Sequence, residues 1–231
     1  MTPYHHGYLR RALVDEALRQ IGTRGIGGWS LREVAAAIGV SHAAPYHHFG
    51  GRDELLAAVA ADGLERLDAL MAEGQRRAGA DPLDQLLAIG MAYVQFAVER
   101  PDHYAAIEAA AATAANAPTP GPTWTRLTGA VAACQRAGHL PAGDPVIVAV
   151  SLWALVHGLA GLWKAGPLNQ LPQAAGGLAP LAERVLRASV GRQPAALGPC
   201  GPNAEARQPN AGAGRQPSTI SRQPISKKVR R

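Results

Sequence analysis

The stretch from Ser30 to Leu56, SLREVAAAIGVSHAAPYHHFGGRDELL, constrains the fold more than any other part of the chain. Ser30 is a good helix N-cap, and Glu33 three residues on completes a capping box. Leu31, Val34, Ala35 and Ile38 recur at three- and four-residue steps and make one apolar face. Gly39 falls where a left-handed C-cap residue is wanted. Val40 plugs the turn, and Ser41 is placed to cap a second helix over residues 42–49. Pro45 would sit in its first turn, where a missing backbone donor costs less. Gly50 and Gly51 break the chain, and Arg52-Asp53-Glu54-Leu55-Leu56 begins a third helix. Two short helices around a tight turn, followed by a third, form the layout of a helix-turn-helix that reads duplex DNA.

A recognition helix must be slim, exposed and tipped with groups that meet phosphates and base edges. Ser41, His42, Ala43, Ala44, Tyr46 and His47 fit. Histidine donates to a phosphate or a base acceptor, tyrosine donates to a phosphate, and alanine touches a thymine methyl. A helix N-terminus favours phosphate as well.

The residues Gly39-Val40-Ser41, Tyr46-His47-His48-Phe49, Arg52 and Asp53-Glu54-Leu55-Leu56 stand at fixed spacing. In this the segment from Tyr8 to about Leu67 resembles the N-terminal domain of the TetR family of bacterial transcriptional regulators. The resemblance implies that Arg32, His42, Ala43 and Ala44 face base edges, and that Tyr46, His47 and Arg52 hold phosphates. Pro45 departs from the commoner leucine and matches an A-P-Y-x-H-F variant. Phe49, and partly His48, read as packing residues.

Periodicity along the rest of the chain predicts an all-α fold of about nine helices, with no strand pattern. The helices fall over residues 8–23, 31–38, 42–49, 52–78, 82–99, 101–114, 124–137, 145–164 and 178–190. The long fourth helix carries Leu55, Leu56, Val59, Leu64, Leu67 and Leu70 inside. The fifth opens on Asp81-Pro82 and is lined by Leu83, Leu86, Leu87, Met91, Val94 and Val98. Asp144-Pro145 caps another start. Three segments follow: a helix-turn-helix domain over residues 1–55, a helical ligand-binding and dimerisation domain over 56–190, and a tail over 191–231.

That tail is rich in Pro, Gly, Gln and Arg, and such a composition buries too little to offset its ordering entropy, so disorder is expected. It holds eight basic residues against Glu205 alone, a net charge of +7. The net charge of +6 therefore leaves the rest of the chain one negative. The DNA reading rests on the motif, not on bulk charge. An R-Q-P tripeptide recurs at Arg192, Arg207, Arg215 and Arg222 with no mechanism evident.

Two further pieces, Tyr93-Val94-Gln95-Phe96-Ala97 before Glu99-Arg100-Pro101, and Trp153-Ala154-Leu155-Val156-His157-Gly158-Leu159, resemble the WHG-type C-terminal subgroup of the same family. Trp153 and His157 share a helix face. With Met91, Tyr93, Phe96, Tyr104 and Trp124 they are expected to line a mostly apolar effector pocket; packing aromatics beside a core histidine is the plainer alternative. Ala149, Gly158, Ala160, Gly161, Ala179, Ala182 and Ala188 favour close helix approach in an isologous homodimer.

The expected function is a sequence-specific regulator of double-stranded DNA: a repressor released from a palindromic operator by a small apolar effector, activation remaining open. The alternative is an effector-independent DNA-binding protein acting architecturally or through a protein partner. No G-x-S-x-G, P-loop, G-x-G-x-x-G or H-E-x-x-H is present, so neither catalytic residues nor a cofactor are expected. Five of the eight histidines, His5, His6, His42, His47 and His48, lie near the motif, but without thiols or carboxylates at ligand spacing no metal site is expected. Cys134 and Cys200 form no framework, and neither a secretory leader nor an apolar run of membrane length is read, which points to the cytoplasm. Val146 to Trp163 comes nearest to such a run and reads as a buried helix.

Overall fold

A computed structural model describes residues 6–113, 121–171 and 176–191, and among these residues the protein forms eight α-helices and two single 3-10 turns. The predicted tail and its R-Q-P repeats lie outside the described residues, as does most of the N-terminal arm. The helices are α1 (His6–Arg24), α2 (Leu31–Ala37), α3 (Arg52–Arg77), α4 (Pro82–Glu99), α5 (Pro101–Thr113), α6 (Pro122–Arg136), α7 (Pro145–Ala165) and α8 (Leu178–Gly191). No strand occurs among the described residues.

Local chemistry sets most helix starts. The Asp81 carboxylate accepts from the N–H groups of Leu83 and Asp84 at 2.8 and 3.0 Å, and Asp144 accepts from Val146 at 2.9 Å. Pro82 and Pro145 follow them in the first turn, where a missing N–H costs nothing. Pro122 does the same for α6, which therefore starts two residues before the predicted Trp124. At α2, Ser30 Oγ accepts from Glu33 N–H at 3.3 Å and donates to the Glu33 carboxylate at 2.8 Å. Gly39 then takes φ 74°, and Val40 N–H reaches back to Ala35 O, closing the helix as a left-handed cap does.

The predicted second helix is different. Residues 42–49 hold a turn and one 3-10 turn, Ala44–His47. Ala44, Tyr46 and His48 each donate to the carbonyl three residues back. Pro45 lacks the N–H that an α-helical bond would need, and proline disfavours the α region for the residue before it. Ser41 consequently makes no side-chain cap; the cap position falls to Ala43.

Two hydrophobic cores result. The first gathers Leu13, Val14, Ala17, Ile21, Trp29, Leu31, Val34, Phe49, Leu55, Leu56 and Val59, with Ala106 from α5. The second gathers Leu67 and Met71 of α3 with the inner faces of α4, α6, α7 and α8. Helix α3 runs through both. Leu64 and Val98, expected inside, lie at exposed margins of their helices.

Helix α7 is long and apolar enough, by length and composition, to cross a membrane, although its sequence reads as too interrupted to do so. It packs within the bundle against α4, α6 and α8. Its inner face carries Ala149, Val156, Leu159 and Ala160. Ala149, Ala160 and Ala182 are thus enclosed within the subunit rather than presented on a face for close approach. The outward face instead shows Ile147, Val150, Ala154 and Leu162, with Gly158 and Gly161 between them.

Candidate nucleic-acid interface and effector cavity

The helix-turn-helix presents Arg32, Ser41, His42, Ala43, Tyr46 and His47 to solvent, with Ala44 half-buried. Pro45 and Phe49 face inward and anchor this edge to the first core. Residues 42–47 thus carry two imidazoles and a phenol outward. Arg10 lies over the Phe49 ring, its guanidinium carbon 5.1 Å from the ring centre. Arg11 is tied instead to Asp15 and Asp62.

Arg52 occupies a place that sequence reasoning did not foresee. Its guanidinium donates to the carbonyls of Ile26 and Trp29 and lies over the Trp29 indole, 4.5 Å from the ring centre. It therefore ties the α1–α2 loop to the start of α3. A clamp and a phosphate contact predict different results for Arg52→Lys. Lysine keeps the charge but loses the stack and the planar fork. The clamp predicts a loss of about 2 kcal/mol of stability and an unchanged salt dependence of DNA binding, measured by calorimetry and by anisotropy across a salt series. Near wild-type stability would return Arg52 to the phosphate.

The seven predicted pocket residues separate into groups. Tyr93 and Trp153 line a cavity of about 40 Å³ with Met71, Leu86, Leu127 and Val156, among other apolar side chains. Tyr104 lines a second cleft, of about 170 Å³, with Trp163, Lys164 and Leu178. His157 joins the two tyrosines. Both hydroxyls point at its Nδ1, Tyr93 at 2.8 Å and Tyr104 at 3.2 Å. The other ring nitrogen, Nε2, faces Glu108 Oε1 at 3.8 Å. Burial pushes both phenols above their ordinary value, and the Tyr93 contact adds to it for Tyr104. Trp124 packs edge-on against Trp153. Phe96 is fully buried beside His103, and Met91 packs against the second core; neither lines the cavity or the cleft just described. The cluster of Asp62, Arg11 and His103 between the two cores went unseen in the sequence, because its members stand up to 92 positions apart with no local pattern.

A three-helix unit with an exposed reading turn, carried on a long helix into a second helical bundle, defines a helix-turn-helix DNA-binding protein. Comparison with known proteins makes this specific. Residues 13–59 match the family model described as "Bacterial regulatory proteins, tetR family", and residues 86–189 match "Tetracyclin repressor-like, C-terminal domain". The chain belongs to the TetR family of DNA-binding transcriptional regulators. It is 36% identical over 92 residues to the HTH-type transcriptional regulator BetI of Brucella suis biovar 1 (strain 1330). That match covers 39% of this chain and 46% of the relative, so the chain spans about half the length of the curated relatives it matches. Among solved structures it is similar to a protein of unknown function from Rhodococcus sp. RHA1, with 30% identity and a TM-score of 0.64 over 83% of this chain and 96% of that one. A TetR family transcription regulator from Marinobacter aquaeolei VT8 shares the fold at 19% identity and a TM-score of 0.58, over 77% and 92% of the two chains.

Proposed function

We propose that the protein is a homodimeric repressor that leaves a palindromic operator when a small apolar molecule enters its second core. The observation that carries the dimer is the outward apolar stripe of α7. Ile147, Val150, Ala154 and Leu162 lie on it, and open space stands over the Cα atoms of Gly158 and Gly161. A stripe of that kind is stable in water when a partner covers it, and a second copy covers it isologously. Two reading turns then address two half-sites of duplex DNA. Arg32, His42, Ala43 and Ala44 contact bases in this reading, and Ser41, Tyr46 and His47 contact phosphates. Residues 1–55 act as the DNA-binding domain and residues 56–190 as the effector and dimer domain of the WHG-type subgroup. The site of action is the cytoplasm.

The cavity supports the switch. Its lining is apolar apart from the Trp153 indole N–H and the Tyr93 hydroxyl, which already pairs with His157, so a neutral, mostly apolar occupant suits it. At about 40 Å³ it is far smaller than the roughly 300 Å³ or more that a small-molecule site needs. An occupant must therefore part the helices, and Met71, on the wall, belongs to α3. Entry then tilts the helix that carries the reading turn, and DNA affinity falls by the ligand's preference for the parted state. Benzene, naphthalene and 1-hexanol serve as probes, with binding read by calorimetry and release read on an operator duplex. At least one is expected to bind and to release DNA. Binding that leaves DNA affinity unchanged for every probe would remove the switch.

A further inference from the structure

Between Val59 in the first core and Leu67 in the second, α3 carries Asp62, Gly63 and Arg66. Here the apolar seam gives way to charge. Asp62 Oδ1 accepts from Arg11 of α1 at 2.6 Å. Its Oδ2 accepts from Arg66 at 2.7 Å and lies 3.0 Å from His103 Nε2 of α5. Arg11 is itself held by Asp15. Gly63 makes the seat for the histidine: a Cβ there would stand 3.3 Å from His103 Cβ and Cδ2 and 3.1 Å from Ile107 Cδ1. His103 is almost fully buried, with Phe96 against its ring. Its Nδ1 has no hydrogen-bond partner and faces Asp102 Oδ1 at 3.5 Å. Burial pushes the Asp62 carboxyl up, but the bonds from Arg66, Arg11 and His103 outweigh it and hold the group well below the usual carboxylate range.

We infer that Asp62 is a positioning residue for DNA binding: it locks α1 of the reading head and α5 of the second bundle to one point on α3, and so sets the pitch of the head. Apolar contacts on either side hold their own cores but permit sliding and rocking, since such packing is non-directional. A carboxylate bonded from three sides fixes a direction. Helix α5 contributes Ala106 to the first core and Tyr104 to the second, so a shift of α5 reaches the head through this joint.

The test rests on the two-fold palindrome reading, and uses the full chain with two substitutions of different kind. Asp62→Asn removes the charge. Gly63→Ala leaves every charge in place, favours the helix and displaces His103. Each is measured on the selected operator and on versions with one base pair inserted or removed between half-sites, alongside backbone hydrogen exchange. Wild type is expected to lose about 50-fold or more on a shifted site, within the range of coupling between sites. Both variants are expected to lose about tenfold on the selected site and to show a much smaller shift penalty, with faster exchange in α1 and α5 and unchanged exchange in α4 and α7. An equal loss on all spacings would show a merely structural role and overturn the inference. So would wild-type exchange in α1 and α5, a readout that stands even if no palindrome is selected, in which case the dimer reading alone has failed.

Discussion

Replacing Ile147 by glutamate is expected to turn the proposed dimer into a monomer and to cost about 100-fold or more in operator affinity. Ile147 is 65% exposed in the subunit and lies on the outward stripe of α7, away from both cores. The substitution therefore leaves the folded subunit intact. In an isologous interface it occurs twice, and places two like charges where water has been excluded. Each subunit then offers the operator a single half-site contact, and the gain from linking two sites, on the order of 10² to 10⁴, is lost. Light scattering reports the mass, and anisotropy on a palindromic duplex reports the affinity. A variant that remains dimeric would move the interface away from α7.

Phe49→Ala is the second large effect, and it acts on the head alone. Phe49 is 2% exposed and fills the first core. Truncating a buried phenylalanine costs about 3–5 kcal/mol, against a total stability of roughly 5–15 kcal/mol for a domain. The two cores are separate clusters. Calorimetry is expected to show the head melting first, ahead of a nearly unchanged second transition, with DNA binding lost at the lower one. A single transition lowered by only a degree or two would mean that Phe49 is replaceable by its neighbours.

Features that act within one helical turn were legible in the sequence. Ser30 with Glu33, Gly39, and the aspartate–proline pairs at residues 81–82 and 144–145 each satisfy backbone groups a few positions away, so their spacing alone announces them. The reading turn was misjudged because two local rules compete at Pro45. Tolerance of proline early in a helix points one way, and the need for donors across a very short segment points the other. Leu64 and Val98 fit the helical period but stand at the margin of a stripe, where a neighbour's reach decides burial. The charged joint was invisible for a different reason, as were the hydrogen bonds that draw Tyr93, Tyr104 and His157 together, three residues expected only as neighbours in a pocket lining. Tyr93 and His157 are 64 positions apart, and Asp62 and His103 are 41 apart. Only packing brings such pairs together. Arg52 shows the same limit at a single residue, because its number of donors was readable and its acceptors, two loop carbonyls, were not.

The most direct test of the account is selection from a random duplex library by the purified full-length chain at physiological salt, repeated with a form ending at Val190. The account predicts that both forms enrich one palindrome with half-sites about one helical turn apart. No enriched sequence, together with a steep salt dependence and loss of binding in the shorter form, would contradict it and leave a basic, sequence-indifferent DNA binder in its place.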